Sequence, residues 1–228
     1  MDKKDQKGIA VYLLKITLEL IVQIVVAFSF KLLYVRWTID KFDKLYLLLN
    51  FCLGFICLFV FIIIYRNDLK SEVHKFFKNI ATNVFSIIFM YLVNFILTIL
   101  ISVFFVVKSG NQDTVNTLVG TNAFLTGINL IVVAPITEEI FFRGILFKTL
   151  SKRNKLCAYV FVSLLFGMAH CWIQIISKGI LNTYPALLLY VMTGVILTII
   201  YDWRKNIITS IGLHSLINTI VFLIIINR

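Results

Sequence analysis

The stretch VVAPITEEIFFRGIL, Val132 to Leu146, sets two adjacent glutamates and an arginine inside a run that is otherwise as apolar as lipid. The rest of the chain is built the same way. Of its 228 residues, 60% are hydrophobic and only 14% charged, with a mean hydropathy of +0.95. A soluble domain averages about 45–50% apolar and about 25% charged residues, so this chain is not read as one. A helix crosses the hydrocarbon core in about 20 apolar residues, and runs of that kind recur from end to end. The expectation is an all-α, polytopic transmembrane helical bundle with about seven (six to eight) spans.

Working outward from the charged stretch, the spans are expected at roughly 9–34, 45–65, 80–107, 116–150, 156–177, 180–201 and 206–227. The fourth holds the opening stretch, and Pro135 is expected to bend it just before the charges. The first is interrupted by Lys15, Glu19 and Lys31; Lys15 and Glu19 stand four apart and can pair on one helix face. The longest hydrophilic stretch, RNDLKSEVHKFFKN (Arg66 to Asn79), reads as a connection, with His74 solvated. This divides the chain into residues 1–115, three N-terminal transmembrane helices, and residues 116–228, a four-span core.

The formal charge of +11 does not point to nucleic acid. The basic residues lie in short segments between apolar runs, and Lys and Arg at membrane ends set topology instead. Their bias across the connections favours a multi-pass protein of the cell membrane with a cytoplasmic N-terminus. Cys52, Cys57, Cys157 and Cys171 show no metal-like spacing and read as buried thiols. The beginning of the chain lacks a small-residue cleavage site and reads as an anchor helix.

Ionisable residues at bilayer depth cost about 2.5–3.5 kcal/mol each on insertion scales and usually mark function. Past the first helix the deep ones are Glu138, Glu139, Arg143, His170 and His214. Glu139 and Arg143, four apart, share a helix face and can form an ion pair. Glu138 is turned by about 100° from Glu139, which leaves its carboxylate free of that arginine. Phe166 and His170 are four apart in the next span, as are His214 and Asn218 in the last. At 1.5 Å per residue, Glu138, His170 and His214 lie roughly 18, 21 and 12 Å from one side of the membrane. Three helices can thus bring them to one cavity. Singly each has a plainer reading: a packing histidine, a core phenylalanine, an internal salt bridge, an asparagine joining two helices.

Together, Glu138-Glu139-x-x-x-Arg143-Gly144, Phe166-x-x-x-His170 and His214-x-x-x-Asn218 resemble the three ordered motifs of the CPBP family. These are the CAAX-protease and bacteriocin-processing membrane enzymes, also called Abi proteins or type II CAAX prenyl endopeptidases. The resemblance covers Ala134 to Asn218 and implies an intramembrane endopeptidase, with residues 116–228 as its catalytic core. It implies Glu138 as the base that activates a water, with His170 helping to hold that water. His214 and Asn218 would stabilise the oxyanion, and Glu139, Arg143 and Phe166 would brace the site.

Two readings of the chemistry stand side by side. One is a glutamate-activated water. The other is a divalent metal such as zinc on Glu138, His170 and His214, because one carboxylate and two imidazoles resemble a His2Glu site. There is no HExxH and no GxSxG to support zincin or serine chemistry. The expected partners are a peptide or protein substrate at the membrane and the lipid bilayer, with no nucleic acid. The second reading of function is a non-catalytic protein of the same fold, acting in bacteriocin self-immunity or as the partner of another membrane protein. A small transporter fits less well, since no pair of Gly/Pro-broken helices is present.

Overall fold

The third helix shows how this chain distributes its side chains. Over Ile80–Phe104 the residues turned inward include Asn83, Ser86 and Asn94, whereas Phe85, Ile88, Phe89, Leu92, Phe95 and Ile96 face out. Apolar surface of that extent is unfavourable against water and favourable against hydrocarbon. Such a helix is solvated by lipid.

The computed structural model describes the backbone of residues 2–32 and 39–227, and the side chains of residues 2–18 and 45–227. Among the described residues the structure is helical throughout, without strands: α1 (Lys3–Leu32), α2 (Ile39–Lys78), α3 (Ile80–Phe104), α4 (Gly110–Ile128), α5 (Ala134–Glu139), α6 (Lys148–Leu150), α7 (Lys155–Lys178), α8 (Ile180–Arg204) and α9 (Ile207–Ile226). Two π-helical stretches, Asn129–Val133 and Ile140–Phe147, join α4 to α5 and α5 to α6. Among the described residues, five helices are long and apolar enough to cross a membrane: Leu45–Lys78, Ile80–Phe104, Lys155–Lys178, Ile180–Arg204 and Ile207–Ile226. The chain is an all-α, multi-pass membrane bundle.

The remaining two expected spans are helical but less simple. Much of the first falls on residues 19–44, outside the described side chains, and with it the pairing of Lys15 with Glu19. Lys15 lies over the Tyr12 ring at 5.5 Å. The fourth is helical from Gly110 to Leu150, but its break is not at Pro135. It falls at Asn122 (φ −159°, ψ 97°), whose side chain accepts from the Leu125 amide at 3.0 Å and so starts the helix afresh. The expected connection Arg66–Asn79 is also corrected: α2 runs on to Lys78, because the stretch holds neither Pro nor Gly to stop it, and His74 is exposed on this helical extension. Of the cysteines expected to be buried, Cys57 and Cys171 are, whereas Cys52 and Cys157 are exposed on the outer surface.

Helix starts are fixed by capping side chains. Ser109, Asn154 and Asn206 accept from the amides of Gln112, Cys157 and Thr209 respectively. Polar contacts lace one end of the bundle. Arg204 donates to Asn83 Oδ1 and Thr82 Oγ1 at 2.9 Å each, joining the end of α8 to the start of α3. Asn206 Nδ2 donates to the Glu72 carbonyl at 2.8 Å, which seats α9 on the extension of α2. Asp202 receives Lys155 at 2.6 Å and Tyr159 Oη at 2.9 Å, tying the start of α7 to the end of α8.

Inside, Phe61, Phe142, Phe166, Ile145, Leu197 and Leu213 are almost fully buried. Tyr12 of α1 stacks on Phe141 with ring centroids 3.8 Å apart, so the N-terminal helices wall the segment that carries the charges. Helices α7 and α8 approach most closely at two glycines. A Cβ on Gly167 would lie 3.1 Å from the Val191 amide nitrogen, and one on Gly194 would lie 3.2 Å from both Cα and O of Ser163. Small residues at a helix crossing let backbones meet where no hydrophobic effect drives association. Gly194→Ala is expected to cost about 1–3 kcal/mol, because the atoms in its way are helix backbone. Thermal unfolding in detergent measures the loss.

Candidate functional site

The glutamates sit in α5, one turn and a half of α-helix held between the two π stretches. A π stretch shifts hydrogen bonding from four residues back to five and is frequent at functional sites. Here Ala134 donates to the Asn129 carbonyl, five back. The next donor in that register belongs to residue 135, and proline has none. The Leu130 carbonyl is thereby left over, and Asn218 Nδ2 of α9 donates to it at 2.8 Å. Pro135 therefore explains both the local register and one contact of Asn218. The second amide hydrogen of Asn218 is left for another acceptor.

Glu139 is fully buried and takes three donors. Arg143 Nη1 reaches Oε1 at 2.7 Å, His214 Nδ1 reaches the same oxygen at 2.9 Å, and Ser210 Oγ reaches Oε2 at 2.8 Å. Arg143, also fully buried, sends Nη2 to the Gly194 carbonyl at 2.9 Å and lies over the Phe166 ring at 4.8 Å. The expected ion pair of Glu139 with Arg143 is present, and it is the centre of a larger cluster spanning α5, α8 and α9. Two buried charges in low dielectric need this many partners to offset their desolvation.

Glu138 is arranged differently. Its side chain is partly exposed, and its Oε2 is buried without a hydrogen-bond partner among the described residues. Facing it at 3.7 Å is His170 Nε2. The other ring nitrogen, Nδ1, lies 2.8 Å from the Phe166 carbonyl. A carbonyl only accepts, so Nδ1 carries the proton, and in the neutral ring Nε2 is a bare acceptor. Two acceptors at 3.7 Å do not bond directly. A donor with two hydrogens, such as water, can satisfy both at once.

The structure thus brings Glu138, Glu139, Arg143, Phe166, His170 and His214 into one cluster, with pairings that differ from the sequence expectation. The free carboxylate was expected to face both histidines; instead Glu138 faces His170 and Glu139 holds His214. Phe166 lies between the two imidazoles, 4.3 Å from the ring of His170 and 5.8 Å from that of His214. This bears directly on metal binding. Among the described residues no three His, Cys, Asp or Glu side chains are grouped to hold an ion. Glu138 and His170 offer two donors, and the third expected ligand, His214, is not grouped with them, with the Phe166 ring close to both imidazoles. The residues as arranged do not fit a three-ligand zinc site.

Sequence reasoning missed Ser210, Gly194 and Tyr190, whose ring stacks on that of His170 with centroids 4.8 Å apart. Ser210 stands four residues before His214, on its helix face, so the spacing carried a signal. Gly194 and Tyr190 carried none, since both act from α8, which holds no motif residue.

Comparisons with known proteins agree with the motif reading. The chain is 28% identical over 178 residues to the UPF0177 protein YbdJ of Lactococcus lactis subsp. lactis (strain IL1403), with 73% of each chain covered. No solved structure matches it. Residues 120–220, which hold all three motifs and the whole cluster around the two glutamates, match the family described as Type II CAAX prenyl endopeptidase Rce1-like.

Proposed function

We propose that this protein is an intramembrane endopeptidase that hydrolyses a peptide bond of a membrane-associated or secreted peptide at the cell membrane, with residues 116–228 as its catalytic core. The observation that carries the reading is the unpartnered Oε2 of Glu138 facing the bare Nε2 of His170 at 3.7 Å. That arrangement suits a water that donates one hydrogen to each. Glu138 takes a proton as the water attacks the scissile carbonyl, and later returns it to the leaving amine. The oxyanion needs donors aimed at it in advance. His214, held through Nδ1 by the Glu139 carboxylate, presents Nε2 to the oxyanion. Asn218 supplies its second amide hydrogen. Glu139, Arg143 and Ser210 hold His214 in place.

The test is a cleavage assay in water enriched in oxygen-18, with the purified full chain in lipid nanodiscs and a library of membrane-associated peptides. Hydrolysis places one heavy oxygen in each new C-terminal carboxylate, and mass spectrometry reads it. A chelator is expected to leave the rate unchanged. Cells in which Glu138→Gln supports the chain's full physiological role would refute the peptidase reading in favour of a non-catalytic one.

A further inference from the structure

On α8, Tyr190 has a ring that lies nearly parallel to that of His170, with centroids 4.8 Å apart and an interplanar angle of 24°. His170 also meets Phe166, with ring centroids 4.3 Å apart. The imidazole thus contacts two aromatic rings, with Nδ1 anchored on the Phe166 carbonyl. Tyr190 is anchored in turn. Its hydroxyl lies 3.0 Å from Ser109 Oγ and accepts from Asn111 Nδ2 at 3.1 Å, both at the start of α4. That same turn is clamped to α7 one helical turn beyond His170. Gln174 accepts from the Gly110 amide at 2.7 Å and donates to the Lys108 carbonyl at 2.8 Å.

The geometry points to Tyr190 as a positioning residue for His170, coupled through its hydroxyl to the connection between α3 and α4. The ring of a histidine held by one hydrogen bond pivots about that bond; a second flat face removes the pivot and fixes where Nε2 points. The connection then acts on the site without touching it. Displacement of Ser109 and Asn111 frees the tyrosine, and the tyrosine frees the imidazole. This role rests on the peptidase reading for its purpose, but the link itself is structural and is measured without substrate.

The experiment is nitrogen-15 NMR of histidine-labelled full chain in detergent, with the His170 signals assigned by their loss in His170→Gln. The wild-type ring is expected to show one protonated and one bare nitrogen, well separated. Tyr190→Phe keeps the stacking face but loses the hydroxyl anchor, and is expected to keep the separation while broadening both signals. Tyr190→Leu, which removes the face as well, is expected to broaden them further as the ring pivots about the Nδ1 bond. Ser109→Ala with Asn111→Ala is expected to broaden the same signals. In a cleavage assay Tyr190→Leu should lower kcat by about ten- to a hundredfold with KM held, and Tyr190→Phe, which keeps the stacking face, should lose less. His170 signals unchanged in Tyr190→Leu, or in the Ser109→Ala/Asn111→Ala protein where the first does not fold, would overturn the link. Failure of all cleavage with the NMR pattern as expected would count against the peptidase reading and leave the link standing.

Discussion

Arg143→Ala is expected to destabilise the folded bundle by about 3–5 kcal/mol, the cost of leaving a buried charge without its partner. Both side chains of the pair are fully buried. Removal of the guanidinium strips Glu139 of its closest donor and takes from the Gly194 carbonyl a donor that it holds beside Thr198 Oγ1, at 2.8 Å. It also opens a cavity beside Phe166, over which the guanidinium lies. Arg143→Lys is expected to recover part of the loss, because one ammonium cannot reproduce a planar fork that bonds two acceptors on different helices. Denaturation in detergent and the yield of monodisperse protein are the measurements. A wild-type midpoint in the alanine variant would mean that Glu139 finds its charge balance elsewhere.

Glu138→Gln is expected to have the largest effect on activity and little effect on the fold. The side chain makes no hydrogen bond through Oε2, so an isosteric amide disturbs no existing partner there. A positioned general base contributes about 10²–10⁴-fold, and kcat is expected to fall by that factor. His170→Ala removes the other holder of the same water. Groups that act as a unit lose their effects together rather than additively, so the double variant should be no slower than Glu138→Gln alone. Independent, multiplicative losses would separate the two residues and dismantle the shared-water mechanism.

These two predictions draw on different parts of the cluster, and they differ in how far the sequence reaches. The Glu139–Arg143 pair follows from spacing alone, since side chains four apart on a helix are neighbours whatever surrounds them. The division of labour between Glu138 and Glu139 follows from the rotation between adjacent residues. The extent of α2 was less legible. Its charged tail has the composition of a connection, yet nothing in it breaks a helix, and α9 docks on it through Asn206. The break at Asn122 has a local cause too, a side chain that caps the following turn, but an asparagine in an apolar run does not announce which way it will bond.

By itself the sequence determined the membrane class, the helical fold, the positions of most spans and the identities of the residues that would gather, because hydropathy and helical periodicity are local properties of a chain. Only the tertiary structure decided which histidine meets which glutamate, that Asn218 answers the carbonyl Pro135 leaves over, that Ser210 bonds Glu139 and that Tyr190 stacks on His170. Those outcomes depend on how α7, α8 and α9 cross. Close approach at Gly167 and Gly194 and the polar lacing at one end of the bundle set that crossing, between residues that periodicity along any single helix cannot relate.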